Sequence, residues 1–171
     1  VAVLFVGGSA KGTVDGTTYF DTTEKEGLDR TDIALPSVQA DMIKAIAAQT
    51  DTPIVLVLVN GGPLAIEWAV ASPRVEAILE AFYPGQRGGN AIADALFGRF
   101  SPAGRLPVSM YHANYTGMVS ERVMDMRAFP GRTHRFLQVP VLFPFGFGLS
   151  YTAFEYVGAL RFSPSTRRVS V

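Results

Sequence analysis

The chain has 171 residues, 48% of them hydrophobic, which is enough for one globular core and too apolar for a disordered segment. Its 15 basic and 15 acidic residues cancel, so there is no overall basic field to hold a nucleic acid or an anionic membrane surface. Cysteine is absent, which excludes disulfides, thiolate zinc sites and a cysteine nucleophile, and no apolar run approaches the ~20 residues of a membrane span.

The N-terminal run VAVLFV (1–6) and the run IVLVLV (54–59) are continuous apolar segments of strand length, ended by Gly7-Gly8 and by Gly61-Gly62 after Asn60. Without polar alternation they read as strands buried on both faces, the kind found in parallel sheets covered by helices. Between them Pro36 opens a helix reaching Gln49, with Val38, Met42 and Ile46 and their neighbours Ile43 and Ala47 at helical spacing. Strand, loop, helix, strand is a βαβ unit.

Val75–Phe82 fits helix or strand, and its place after Ser72-Pro73 favours a third strand. Gly88-Gly89-Asn90 then leads into a helix with Ile92, Leu96 and Phe97 on one face and Gly98 closing it. From Phe100 onward, Pro102, Pro107, Pro130, Pro140 and Pro144 and aperiodic aromatics predict loops and short strands over a rigid body. The stretch 154–171 alternates like an antiparallel strand pair. The expected fold class is therefore α/β, a largely parallel sheet flanked by helices, with a loop-rich C-terminal part and a truncated β segment. A chain that opens inside a strand and ends in RRVSV also reads as excised from something larger.

The candidate chemistry centres on TTEKEGLDR (22–30), with Glu24, Glu26 and Asp29 in the long connection after the first strand. That connection leaves the carboxyl edge of a parallel sheet, where α/β folds assemble ligand sites. The bland alternative is a solvated charge run. GGSAKG (7–12) lacks both the G-x-G-x-x-G spacing and the Gly-Lys-Ser/Thr ending of a phosphate loop, and Gly85, Gly88 and Gly89 miss the fingerprint as well. Ser9 and Ser150 are outside G-x-S-x-G, and His112 and His134 have no ligand-spaced partner, so neither a serine triad nor a metal site is indicated, and no cofactor is called for. Trp68 can pack in the core or stack on a sugar, and Asn114-Tyr115-Thr116 is a glycosylation sequon.

Five blocks in order, EGLDRTDIALPSVQADMIKAI, PIVLVLVNGGPLAIEWA, AILEAFYPGQRGGNAIADALFGRFSPAGRLPVSMY, PGRTHRF and FPFGFGLSYTAFEY, together resemble the C-terminal α/β-sandwich domain of glycoside hydrolase family 3, especially its β-xylosidase-like branch. The resemblance implies a domain over 1–156, with 157–171 a linker or the start of a fibronectin type III-like β module. It implies a retaining exo-glycosidase in which an N-terminal TIM barrel carries an Asp nucleophile and this domain lends a Glu as acid/base.

By the same resemblance the acid/base falls on Glu26, with Glu24 the alternative, while Asp29 and Arg30 form a pair that fixes the loop. Trp68 is a candidate substrate contact. The implied partners are a xylo- or gluco-oligosaccharide and the barrel of the same enzyme, with no nucleic acid and no membrane, and the implied location is extracellular or secretory. The glycone stays open among β-xylosidase, α-L-arabinofuranosidase and β-glucosidase activities. The competing readings are a non-catalytic carbohydrate-binding or structural module and a flavodoxin-like nucleotide-binding domain.

Overall fold

The computed structural model describes residues 1–8, 12–14, 17–19, 24, 30–155, 158, 161–166 and 168–170, with backbone only at 12–14, 17–19 and 168–170. In chain order the elements are β1 (Ala2–Gly7), β2 (Gly12–Val14), β3 (Thr17–Tyr19), α1 (Ser37–Gln49), β4 (Ile54–Val59), α2 (Glu67–Ala71), β5 (Val75–Glu80) and α3 (Gly88–Leu96). A 3-10 turn (Ala113–Gly117), α4 (Thr133–Phe136), β6 (Arg161–Ser163) and β7 (Arg168–Ser170) follow.

The aliphatic runs form a three-stranded parallel sheet in the order β1-β4-β5, as their composition predicts. Pairing runs in step from Ala2 opposite Ile54 to Gly7 opposite Val59. The β4–β5 register shifts once, between Ile54 and Val55, and ends with Leu58 opposite Glu80. All three strands therefore finish at one edge, and the connections that leave them meet there.

One face of the sheet carries the main core, in which Val6, Ile54, Leu56 and Leu58 pack with Leu35, Ile43, Leu64, Ile66 and Ala69. Each fully buried aliphatic side chain here contributes about 1.5–3 kcal/mol relative to exposure. The stripe α1 turns inward is Ala40, Ile43 and Ala47 with Ile46, whereas Val38 and Met42 are exposed, which rotates the predicted apolar face by about one position. On α3 the inward pair is Ile92 and Ala95, and Phe97 faces solvent rather than sharing their face. Gly98 closes this helix at φ +69°, as expected of a glycine just past a helix end.

Two further expectations change. β1 is not buried on both faces: Val1, Val3 and Phe5 stand exposed along one side. The connection after β1 is not wholly irregular either, since β2 and β3 pair antiparallel with Val14 opposite Thr17. Asp15-Gly16 between them is the dipeptide favoured in two-residue hairpins, a signal the charge run nearby overshadows. Past Phe100 the chain is loops as predicted, tied together by Met110, which is nearly fully buried and exchanges backbone hydrogen bonds with Leu142 and Phe143. β6 and β7 form the antiparallel pair that the terminal alternation suggested.

The end of β1 is fixed by a side chain from α1. Gly7 N–H donates to Gln39 Oε1 (2.8 Å) and Gln39 Nε2 donates back to Gly7 O (2.7 Å), while the next N–H, of Gly8, still donates to Val59 O (3.1 Å). Gly7 has φ +149°, and a Cβ there would lie 1.9 Å from Val59 O, so only glycine fits. Gln39→Ala should cost about 1–3 kcal/mol by loss of both bonds, read as a lower urea midpoint at unchanged m-value. The exposed Val1-Val3-Phe5 face should make the isolated chain self-associate, and light scattering should show this fall in a Phe5→Thr variant.

Candidate active site

At the carboxyl edge of the sheet the chain after β4 reads Asn60-Gly61-Gly62-Pro63, and this turn holds the side chain of Glu24. Gly61 N–H donates to Glu24 Oε2 (2.5 Å) and Gly62 N–H to Oε1 (2.6 Å), so two successive amides grip one carboxyl group. A side chain at either position would make the neighbouring groups shift. A Cβ on Gly61 would meet Tyr83 Cε2 at 2.9 Å and Glu24 Oε2 at 3.1 Å, and one on Gly62 would meet Arg30 Nη2 at 2.7 Å.

Tyr83, from the segment after β5, reaches the same carboxyl group: its hydroxyl contacts Glu24 Oε2 and also lies 2.9 Å from Gly8 O. A phenol has one proton, and the Gly8 carbonyl can only accept. When Glu24 is ionised, Tyr83 donates to it. When Glu24 carries a proton on Oε2, that proton is donated to the Tyr83 oxygen and Tyr83 donates to Gly8. The cradle therefore serves both protonation states by a turn of the Tyr83 hydroxyl alone.

Beneath the turn, Asn60 is fully buried and its Nδ2 donates to Gly62 O (2.8 Å), with a longer 3.5 Å contact to Glu80 Oε2. Glu80 Oε1 accepts from Phe82 N–H (3.0 Å). Burial pushes the Glu80 carboxyl up to about 7, against the lowering effect of the Phe82 amide and Asn60, with the charge of Glu24 adding to the rise. Asn60 Oδ1 is buried with no partner among the described residues.

Of the residues singled out in the sequence, the structure places Glu24 in this cradle, whereas Glu26, Asp29 and Lys25 lie outside the described residues. Arg30 Nη2 donates to Pro63 O (3.2 Å) across the same turn, and its expected pairing with Asp29 lies outside the described residues. Trp68 is not brought to Glu24. It is half-exposed and lines a shallow depression of about 370 Å³ with Lys44, Ala47, Pro73 and Arg74, at the opposite edge where β5 begins. Its core reading fails for the same reason. Glu67, beside it, accepts from Ala113 N–H (2.6 Å) and lies 3.5 Å from His112 Nδ1, anchoring the loop-rich part to α2. Asn114 is exposed on the 3-10 turn. Among the described residues no group of three or more His, Cys, Asp or Glu lies together as a metal site would require.

Sequence reasoning missed Asn60, Gly61, Gly62, Glu80 and Tyr83. The available signals were an Asn-Gly-Gly turn directly after a buried strand, and an acid at the end of another.

Two outcomes follow. Gly62→Ala should displace the Arg30 guanidinium, and crystal structures of the variant should show it moved off Pro63 O. Glu80 has a folded-state value above its ordinary 4.5, so its contribution to stability is full below about 4.5 and is lost as pH rises through about 7. Glu80→Gln should flatten that decline, a difference of about 1–3 kcal/mol at pH 8, seen by comparing urea midpoints at pH 4.5 and 8.

Residues 1–151 match the family described as the glycosyl hydrolase family 3 C-terminal domain. Over 136 residues, 78% of this chain, the sequence is 48% identical to Beta-D-xylosidase 1 of Arabidopsis thaliana, and over 138 residues it is 45% identical to a probable exo-1,4-beta-xylosidase, bxlB, of Aspergillus fumigatus. The chain spans about a fifth of the length of these relatives, 18% in each case. Among solved structures, the GH3 exo-beta-xylosidase XlnD in complex with a xylobiose aziridine activity-based probe superposes with a TM-score of 0.74 at 30% identity, covering 88% of this chain and 19% of that one. The beta-glucosidase D2-BGL from Chaetomella raphigera matches with a TM-score of 0.69 at 29% identity, covering 96% of this chain and 23% of that one. The chain belongs to glycoside hydrolase family 3, as its C-terminal α/β domain.

Proposed function

We propose that this domain supplies the proton-transferring carboxyl group of a retaining exo-glycosidase of β-xylosidase type, that Glu24 is that group, and that the nucleophilic Asp stands on an N-terminal barrel domain of the longer enzyme. The observation that carries the reading is the Glu24 cradle, which fixes a carboxyl group at the carboxyl edge of the sheet and accepts it with or without its proton. The names of the relatives, β-xylosidases of plants and fungi, favour a xylosyl glycone.

Retaining hydrolysis needs two carboxyl groups about 5–5.5 Å apart across the anomeric carbon. In the first step the barrel carboxylate attacks that carbon, the glycosidic C–O bond breaks, and Glu24 gives its proton to the departing oxygen. Tyr83, no longer receiving that proton, turns its own from Gly8 O to the new carboxylate. In the second step Glu24 takes a proton from water, the water oxygen bonds to the anomeric carbon, and the barrel carboxylate leaves. Glu24 and Tyr83 are then as they began. The two glycine amides hold the carboxyl group in place throughout, which keeps the orientation cost out of the reaction.

In the full-length enzyme, Glu24→Gln should lower kcat/KM on an alkyl or oligosaccharide xyloside by about 10²–10⁴-fold. It should spare the first step on a dinitrophenyl xyloside, whose leaving group needs no proton. Azide should then restore turnover and yield a β-xylosyl azide. Glu26→Gln, assayed beside it, should leave kcat within about threefold of the parent, an effect too small for a general acid. The azide signature in Glu26→Gln and not in Glu24→Gln would move the role to Glu26, and its absence from both would remove it from this loop.

A further inference from the structure

Both arms that hold the Glu24 carboxyl group trace back to one half-buried acid, Glu80. On one side, Gly61 and Gly62 donate to Glu24, Asn60 Nδ2 donates to Gly62 O, and Glu80 Oε2 faces Asn60 Nδ2. On the other, Tyr83 contacts Glu24, and the residue before it, Phe82, donates its N–H to Glu80 Oε1. Phe82 sits at φ +48°, a left-handed conformation unfavourable for a bulky side chain, so it persists only because its surroundings impose it. The Glu80 oxygen is the hydrogen-bond partner that fixes the amide of that residue.

We propose that Glu80 is a positioning residue for Glu24, holding the Gly61–Gly62 turn through Asn60 and the Tyr83 hydroxyl through Phe82. The inference rests on the acid/base reading of Glu24. Glu80 touches no reacting atom and acts through the two arms. Asn60 Oδ1 is buried with no partner among the described residues, so Asn60 meets Glu80 through its Nδ2 alone. Among the described residues the charged groups around the turn are Glu24 and Arg30, both from the connection after β1, and the turn after β4 contributes the neutral Asn60. Ionising Glu80 therefore puts a second negative charge next to Glu24 with Arg30 as the neighbouring cation.

Glu80→Leu keeps an apolar strand position and removes both oxygens, whereas Glu80→Gln keeps the acceptor for Phe82 N–H. In the full-length enzyme, Glu80→Leu should lower kcat by about 10–100-fold with KM within about twofold, as a displacement of the order of an ångström would. Glu80→Gln should recover most of kcat at pH 5 and shift the alkaline limb of the pH–kcat profile relative to the parent. In a Glu24→Gln background the Leu substitution should have no further effect on kcat. An undiminished kcat in Glu80→Leu, or the same fold-loss in the Glu24→Gln background as in the parent, would overturn the positioning role while leaving the Glu24 assignment intact. If Glu80→Leu fails to fold, an alkaline limb in Glu80→Gln superimposable on the parent would overturn it. Failure of the azide signature in Glu24→Gln would instead remove the reading beneath it.

Discussion

The grip of two consecutive glycine amides on one carboxyl group is the contact on which the rest of the site depends. It exists because β1 and β4 pair in parallel without a slip, so that the connection after Gly7 and the turn after Val59 leave the sheet side by side. A one-residue slip would exchange the two faces of β4 and carry the turn away from the loop. Gln39 adds a second constraint, for it fills both bonding positions of Gly7 and so sets where the Glu24 connection departs. Register and helix packing thus place a carboxyl group that no local preference of its own loop would place.

The same contact explains two features that oppose stability. Hydrogen bonds to an ionised group are worth roughly twice neutral ones, which favours a turn stripped of side chains despite the backbone entropy that glycine forfeits on folding. Burying Glu80 under that turn runs against solvation, and the carboxyl group answers by binding its proton more tightly. A positive φ at Phe82 adds local strain on the same side. Unsatisfied, strained and desolvated groups gathered at one edge of an otherwise ordinary sheet are what functional sites have in common.

Much of the fold was legible because its signals are local. The aliphatic runs at 1–6 and 54–59 read as strands and are strands, though the first leaves one side exposed, and Gly98 ended a helix as expected. The third strand at 75–80 needed context, and the apolar stripe of α1 was misplaced because Val38 and Met42 obey the period yet face away from the sheet. The carboxyl-bearing loop was legible from topology and from the family resemblance together. Its partners were not, because Asn60, Glu80 and Tyr83 come from two other strand ends and carry no pattern that links them to residue 24. Only the assembled sheet makes them neighbours.

That separation along the chain carries a consequence for how the domain matures. The partners of Glu24 lie 37, 38 and 59 positions away, across two successive strand crossovers. Loop closures of this span are among the last contacts a folding chain secures, since each must wait for the pairing that brings its ends together. A chain with β1 and β4 joined but β5 still loose would have the amide grip without the Tyr83 contact. The carboxyl group would then be held by the turn alone, so the full set of Glu24 contacts reports completion of the sheet rather than its beginning.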